Sequence, residues 1–392
     1  MWTLQSDFVV SKHNGGLKVA ELGKFPHLHG KLSISQLQNV NDPFEAVQAN
    51  MKMKERIDEL ALQWDCGSIF SDSQIQSVVL EHLHPSTNLK RLTIKGYGGI
   101  SFPNWLGCFL FTNMVYLRIS NCDDCLWLPP LGQLGNLKEL IIEGMQSVQT
   151  IDTEFYGSDS SPSFQPFPSL ETLKYQNMQE WEEWNLIGGT AKEFPCLKTL
   201  SLRKCPKLRV GNIPENFPSL TELELRECPL LIQSMSSSDH VFRQPLSPLN
   251  SIRELTIDVI PSPMSLPTVC LPKTLKSLII SNCENLEFLP REYLHNYTSL
   301  EELKISYSCN SMISFTLGAL PVLKNLFIEG CKNLKSILIA EDGSQKSLSF
   351  LRSIKIWDRN ELNSFPLGGL HTPDLIHFVV WKCHSFSHYQ KQ

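Results

Sequence analysis

The chain has 392 residues, of which 42% are hydrophobic and 19% are charged, and its formal net charge is -5. The hydrophobic content excludes a disordered chain, and the length indicates either several domains or an array of repeats. The small negative charge gives no electrostatic reason to expect nucleic acid or an anionic membrane as a partner.

The first distinct element is a helical segment predicted near residues 42–56. Asp42 is expected to cap its N-terminus, with Pro43 at the first helical position and Glu45 at the third. The apolar residues expected to share its buried face are Ala46, Ala49 and Met53.

A pattern of leucine, isoleucine and cysteine recurs along the chain, and its clearest copy runs from Leu323 to Ile337 as L-x-x-L-x-I-x-x-C-x-x-L-x-x-I. The other clear copies begin at Met114, Leu137, Leu170, Leu197, Leu220, Leu275, Leu351 and Leu375, and weaker ones begin at Leu28, Ile57, Leu89, Ile252 and Leu300. Most starts are separated by 23 to 33 residues, and the copy at Leu300 is irregular because Cys309 comes one place late. This spacing is close to the leucine-rich-repeat period of roughly 20–29 residues, which predicts an array of about fourteen repeats.

The alternation inside each copy has a period of two, which is typical of a short strand that turns leucine and isoleucine inward. One repeat cannot bury its apolar face, whereas stacked repeats can. The predicted fold is therefore an α/β leucine-rich-repeat solenoid that spans residues 1–392 as a single array. We expect a curved horseshoe with a parallel β-sheet on its concave face and a mostly irregular or short helical convex side. Residues 152–166 and 233–248 are polar and serine-rich, which predicts two surface loops.

Six of the twelve cysteines fall at one fixed place in the repeat, namely Cys122, Cys205, Cys228, Cys283, Cys331 and Cys383. A repeated inward position is a packing position, and the first residues do not resemble a secretory signal, so all twelve thiols are predicted to be free. The pair Cys122 and Cys125 could also form half of a zinc site or a redox pair. Both lie at core positions of the repeat, which favours packing.

Histidines occur in two pairs, His27 with His29 and His82 with His84, that alternate as strand residues do. Such pairs could place two imidazoles on one side of a strand, and a third cluster near the C-terminus comprises Cys383, His384 and His388. Zinc needs three or four convergent ligands, which none of these groups supplies in sequence, so no metal site is predicted.

The sequence contains no phosphate-binding loop, because Gly96-Tyr97-Gly98-Gly99 is not followed by lysine and serine or threonine. It also pairs no nucleophile with a base at a recognisable spacing. These patterns predict a binding protein and not an enzyme. Catalytic groups that lie far apart in sequence stay open as an alternative.

The variable residues beside the strand leucines are expected to face solvent, and toward the C-terminus they become apolar and aromatic. Phe327, Trp357, Val379 and Trp381 are therefore predicted to form an exposed patch that binds a protein partner. Arg203 and Arg226 occupy equivalent places on adjacent repeats and could engage an acidic partner. Cover by a loop or by the missing end of the array is the alternative for the aromatic residues.

Long stretches of the chain carry a family resemblance: KLSISQLQNV (31–40), NLKRLTIKGYGGISFPNWLG (88–107), MVYLRISNC (114–122), LPPLGQLGNLKELIIEGM (128–145), PFPSLETLKYQNMQEWEEW (166–184) and PSLTELELRECPLL (218–231). Through them the chain resembles the repeat region of plant coiled-coil, nucleotide-binding, leucine-rich-repeat immune receptors of the downy-mildew-resistance-like subgroup. The resemblance covers essentially the whole chain.

The resemblance implies a cytoplasmic module that senses a pathogen effector, directly or through a guarded host protein, and that holds the nucleotide-binding domain of the intact receptor inactive. The coiled coil and the phosphate loop of that family are not in this sequence, and its first residues look like the middle of an array, so a partial receptor is expected. ADP or ATP would bind the missing domain, and no cofactor, nucleic acid or membrane is expected here. The alternative is a stand-alone interaction protein, such as a decoy or an inhibitor.

Overall fold

The structure, a computed structural model, describes residues 4–13, 15–65, 72–157, 164–185, 193–209, 217–231, 251–259, 264–265, 271–288, 294–339, 348–357, 362, 365 and 372–381. The chain divides into two compact units, which cover residues 1–219 and 220–392. Each unit is built around its own run of parallel strands, called here its ladder.

The ladder of the first unit contains strands that pair in parallel and in chain order. They are β1 (Leu4–Val9), β2 (His29–Ser35), β3 (Arg56–Gln63), β4 (Arg91–Lys95), β5 (Tyr116–Ser120), β6 (Glu139–Glu143), β8 (Thr172–Gln176) and β10 (Thr199–Arg203). Two shorter strands, β7 (Thr150–Ile151) and β9 (Glu183–Trp184), form a separate parallel pair. The helices are α1 (Phe44–Gln48) and α2 (Ser73–His82), with 3-10 turns at Val19–Lys24, Leu37–Asn39, Met51–Met53, Leu131–Gln133 and Thr153–Tyr156.

The ladder of the second unit follows the same rule. Its strands are β11 (Glu222–Arg226), β12 (Glu254–Asp258), β14 (Ser277–Ser281), β16 (Glu302–Ser306), β18 (Asn325–Glu329), β20 (Ser353–Trp357) and β21 (His377–Trp381). Two further pairs of short strands form separate parallel sheets: β13 (Met264–Ser265) with β15 (Leu286–Glu287), and β17 (Ser314–Leu317) with β19 (Ser336–Ile339).

Most of the five-residue strands bury their second and fourth side chains and leave the others partly or fully exposed. The exceptions are the buried outward serines Ser120, Ser201 and Ser306, and the exposed Phe378 in β21. In β12, for example, Leu255 and Ile257 are buried, while Glu254 is exposed. These buried positions are the leucines and isoleucines of the sequence repeat. The predicted leucine-rich-repeat fold, with one short strand in each repeat and parallel pairing between repeats, is therefore confirmed.

A left-handed residue follows almost every ladder strand and turns the chain inward. The residues with positive φ directly after a ladder strand are Gln36, Gly96, Asn121, Gly144, Asn177, Lys204, Glu227, Val259, Asn282, Tyr307 and Gly330. Glycine and asparagine tolerate this conformation, whereas a β-branched residue such as Val259 adopts it only when the surrounding structure imposes it. The ladder therefore fixes the turn even where the local sequence disfavours it.

The repeated cysteine comes immediately after this left-handed residue. Its thiol is buried and donates to the backbone carbonyl two residues earlier, as in Cys205 to Arg203 (3.4 Å) and Cys283 to Ser281 (3.0 Å). Cys122, Cys228 and Cys331 make the equivalent contact. The prediction that this position is a buried packing position is confirmed for these five, and Cys383 lies outside the described residues.

The irregular repeat at Leu300 keeps the same geometry with a different residue. Ser308 takes the cysteine position, fully buried, and its hydroxyl donates to the Ser306 carbonyl (2.7 Å) and accepts from the Cys283 amide (3.0 Å). Cys309 is an additional residue with φ of 55° and is also buried. The late cysteine of the sequence pattern is thus an insertion after an intact turn.

Aromatic residues fill the first unit where its repeats are longest. Trp184 donates to the Tyr156 hydroxyl (2.8 Å), and its ring lies 6.0 Å from that of Phe194. Phe194 stacks on Phe167 at 5.2 Å. The surface loop predicted for residues 152–166 is therefore wrong at its start: Phe155 and Tyr156 are buried core residues in a 3-10 turn. The second predicted loop, residues 233–248, lies outside the described residues.

The predicted helical segment near residues 42–56 contains α1 and one 3-10 turn. The Asp42 carboxylate accepts from the Phe44 amide (2.9 Å), and Ala46 and Ala49 are buried as expected. The expectation for Met53 was wrong, because Asn50 adopts a left-handed conformation (φ 51°) and ends the helical spacing. Met51 is buried in its place, and Met53 is 64% exposed.

Helix α2 was not predicted from the sequence. Asp72 caps it by accepting from the Gln74 amide (2.8 Å). The helix also contradicts the strand-like alternation predicted for one histidine pair. His82 ends the helix, while His84 packs against Trp105 (5.4 Å between ring centroids). These two imidazoles do not alternate along a strand.

We predict that Ser308→Ala lowers the free energy of unfolding by about 1–3 kcal/mol, because the buried Cys283 amide loses its acceptor and the Ser306 carbonyl loses one of its two donors. Ser308→Cys should cost less, since other repeats use a thiol here. Chemical denaturation measures both, with Ser277→Ala on the exposed side of β14 as the control. Equal losses for Ser308→Ala and Ser277→Ala would contradict this account.

Candidate protein-recognition surface

The outward side chains of each ladder form a continuous surface, called here the ladder surface. It consists of the first, third and fifth residues of the five-residue strands, aligned by the parallel register. In the second unit the third residues form one row and the fifth residues form another. The core does not dictate most of these residues, because the second and fourth positions supply its apolar side chains.

Two of the predicted aromatic residues come together on this surface. The rings of Phe327 in β18 and Trp357 in β20 lie 6.2 Å apart, tilted by 48°. Trp357 is 46% exposed, and Phe327 is half-buried. The ammonium group of Lys304 lies 4.9 Å from the centre of the Phe327 ring, within the range of a cation–π contact. No described loop therefore covers these two rings completely.

The other two predicted patch residues belong to β21. Register pairs Val379 with Lys355 and Trp381 with Trp357 along the backbone. Val379 is half-buried, and the side chain of Trp381 lies outside the described part of the structure. The backbone register places the four residues on three neighbouring strands, and contact between side chains is observed for Phe327 and Trp357. A patch formed by all four residues stays a prediction.

The two predicted arginines occupy equivalent strand positions in different units. Arg203 ends β10 and Arg226 ends β11, and both are half-buried. Arg226 already has acidic partners, since its guanidinium contacts Glu224 (2.5 Å) and Asp258 (3.2 Å). An external acidic group would have to compete with those two carboxylates, so the arginine contact with a partner stays a prediction.

Several charged side chains on the ladder surface of the first unit are paired with one another. Arg118 contacts Glu143 (2.5 Å), and Lys174 contacts Glu139 (3.4 Å). The guanidinium of Arg91 lies 3.8 Å from the centre of the Tyr116 ring. A surface whose charges already have partners offers a binding protein less electrostatic attraction than one with unpaired charges.

A second exposed apolar cluster, which was not predicted from the sequence, lies off the ladder in the first unit. Trp127 is 55% exposed and Ile100 is 56% exposed, and the backbone amide of Leu126 donates to the Ile100 carbonyl (3.1 Å). The neighbouring carboxylates of Asp123 and Asp124 are exposed and have no hydrogen bond or ion pair with other described residues. Ile100, Leu126 and Trp127 do not occupy buried positions of the repeat. That mismatch is the sequence feature that could have identified them as exposed apolar residues.

The chain is similar in sequence to known leucine-rich-repeat proteins. Residues 19–145 match the family model described as R13L1/DRL21 leucine-rich repeats. The chain is 36% identical to disease resistance RPP13-like protein 1 of Arabidopsis thaliana over 315 residues, which are 72% of this chain and 30% of that protein. It is 31% identical to disease resistance protein RGA2 of Solanum bulbocastanum, over 52% of this chain and 21% of that protein.

The chain is a leucine-rich-repeat region of the plant disease-resistance family. It spans less than a third of the length of these relatives. Among solved structures it is similar to the leucine-rich-repeat domain of the type III effector XopL, with 16% identity, a TM-score of 0.37, and coverage of 93% of this chain and 96% of that one. That likeness is too distant to bear on function.

The repeat region shows no assembled metal centre within the described ranges, where no three histidine, cysteine, aspartate or glutamate side chains are placed to hold an ion. None of its described helices is long and apolar enough to cross a bilayer.

Burial raises the pKa of the Cys125 thiol well above its usual range, and the nearby Cys122, Asp124 and Asp123 raise it further. Burial raises the pKa of Cys309 in the same way.

We predict that Cys125 and Cys309 resist alkylation in the folded protein at neutral pH, because the thiolate is the reactive form and burial disfavours it. Cys196, which is exposed, should be alkylated first. Mass spectrometry after iodoacetamide treatment, with and without denaturant, measures the order. Labelling of Cys125 as fast as Cys196, or a bond between Cys122 and Cys125, would contradict this prediction.

Proposed function

We propose that the repeat region recognises a protein partner through the ladder surface of its second unit and performs no catalysis. The single observation that carries this proposal is the contact between Phe327 and Trp357 on that surface, where Trp357 keeps 46% of its area exposed. Large aromatic side chains on a rigid surface are favoured at the centres of protein interfaces. The ladder holds the two rings in place, so little conformational entropy is lost on binding.

The relatives are named as disease resistance proteins, which supports a role in plant defence. We propose that the partner is a pathogen effector or a host protein that an effector modifies, and that recognition takes place in the cytoplasm. Val379 and Trp381 extend the same surface by one strand. The paired charges of the first ladder surface support a location in the second unit.

The test introduces Phe327→Ser and Trp357→Ser into a full-length receptor that carries this repeat region. Effector-dependent signalling should fall by about 30-fold or more in effector dose, the scale of losing a central aromatic anchor. Ile313→Ser is the matched control, because Ile313 is 60% exposed in the same unit but lies outside the ladder strands. Unchanged recognition in a stably accumulating double variant would contradict the proposal.

A second role is supported by the exposed cluster of Ile100, Leu126 and Trp127. We propose that this cluster contacts the nucleotide-binding domain of the intact receptor and helps to hold it inactive. The cluster is apolar, and the solenoid core does not require it. The unpaired Asp123 and Asp124 beside it supply a negative charge that a basic patch could match.

If the cluster restrains the receptor, Trp127→Ser should raise signalling in the absence of any effector, because a docking contact is lost while the core stays intact. Basal signalling at matched protein level is the measurement, and Trp357→Ser serves as the comparison that should not raise it. Unchanged basal signalling would contradict a restraining role for this cluster.

A further inference from the structure

The third outward residues of five neighbouring strands in the second unit form one row, called here the central row. Parallel register aligns the row along β14, β16, β18, β20 and β21. Its members in order are Ile279, Lys304, Phe327, Lys355 and Val379. Apolar and cationic residues therefore alternate strictly from one strand to the next, and all five are half-buried.

The two lysines of the central row have no ion pair within the described residues. Lys304 contacts the face of the Phe327 ring, and Lys355 makes no hydrogen bond or salt bridge there. The third-position cations of the first unit differ, because Arg118 and Lys174 are both paired with glutamates. The central row thus presents two uncompensated positive charges between three apolar contacts.

The spacing of the row selects the secondary structure of its occupant. Neighbouring strands lie about 4.7–4.9 Å apart, so the row spans roughly 19 Å from Ile279 to Val379. A helix laid across the strands presents a residue to the row about every 5.4 Å, at steps of three or four residues. An extended strand presents a residue on one face only about every 6.6–6.8 Å. Its side chains therefore no longer coincide with the members of the row after two contacts.

We propose that the central row binds an amphipathic α-helix of a partner protein, about 13–14 residues long, whose contacting residues alternate between apolar and acidic at successive turns. The inference rests on the proposed function, because it names the partner of the same surface. Apolar side chains of the helix meet Ile279, Phe327 and Val379, and carboxylates meet Lys304 and Lys355. Trp357, in contact with Phe327, borders the row on one side.

The probe is a synthetic fourteen-residue peptide held helical by a lactam on its outer face, with leucine and glutamate alternating at the contacting turns. One comparison peptide has the same composition with the glutamates moved off the contacting face, and another replaces glutamate by lysine. Binding to the full chain is measured by fluorescence anisotropy. The first peptide should bind at least about tenfold more tightly than either comparison, since two partly buried charge pairs are gained.

Charge reversal supplies the decisive variant. Lys304→Glu with Lys355→Glu should weaken binding of the glutamate peptide by about tenfold and restore binding of the lysine peptide. Lys95→Glu is the matched control, because Lys95 ends a ladder strand in the first unit and should leave both affinities unchanged. Restored binding in the doubly reversed pair cannot result from a misfolded variant.

Equal binding of all three peptides, or no recovery in the reversed pair, would overturn the helix proposal. That failure differs from failure of the proposed function, which shows as unchanged receptor signalling after Phe327→Ser and Trp357→Ser. Loss of signalling in those variants together with no peptide discrimination leaves the surface as a recognition site and rejects the alternating helix. The helix proposal is also rejected if the glutamate peptide binds the Lys304→Glu, Lys355→Glu double variant as tightly as it binds the unchanged chain.

Discussion

Parallel pairing between neighbouring strands is the interaction on which each unit depends. A five-residue strand contributes only two inward side chains, such as Leu255 and Ile257, and these are buried only when the strands on both sides are present. The stability of such an array is therefore a sum of contacts between neighbours, and no single central core exists. Every other feature follows from keeping successive strands in step.

A left-handed residue after most ladder strands keeps successive strands in step. It ends the strand at an equivalent place in these repeats and turns the next side chain inward, where in several repeats a thiol or the Ser308 hydroxyl donates to a backbone carbonyl. Buried backbone groups need such partners, because no water reaches them. Lys204, Glu227 and Tyr307 adopt the left-handed conformation although it is locally unfavourable for them. Pairing along the ladder therefore compensates for the backbone strain.

A regular scaffold leaves its outward positions free to differ, and the two units use that freedom differently. In the first unit the outward charges neutralise one another across strands, as Arg118 and Glu143 do. In the second unit an aromatic pair and unpaired lysines occupy the same kind of position. The same kind of strand thus carries different outward chemistry in the two units.

The sequence by itself determined the strands, the inward leucines and the buried cysteine position, because a period of two and a repeat of fixed length report directly which side chains face the core. It also identified Phe327 and Trp357 as outward residues. Only the tertiary structure decided that these two rings touch, since they are thirty positions apart and meet through the register of β18 with β20. The burial of Phe155 and Tyr156 in a polar segment, and the pairing of Arg226 with Asp258, likewise depend on neighbouring repeats that no local pattern specifies.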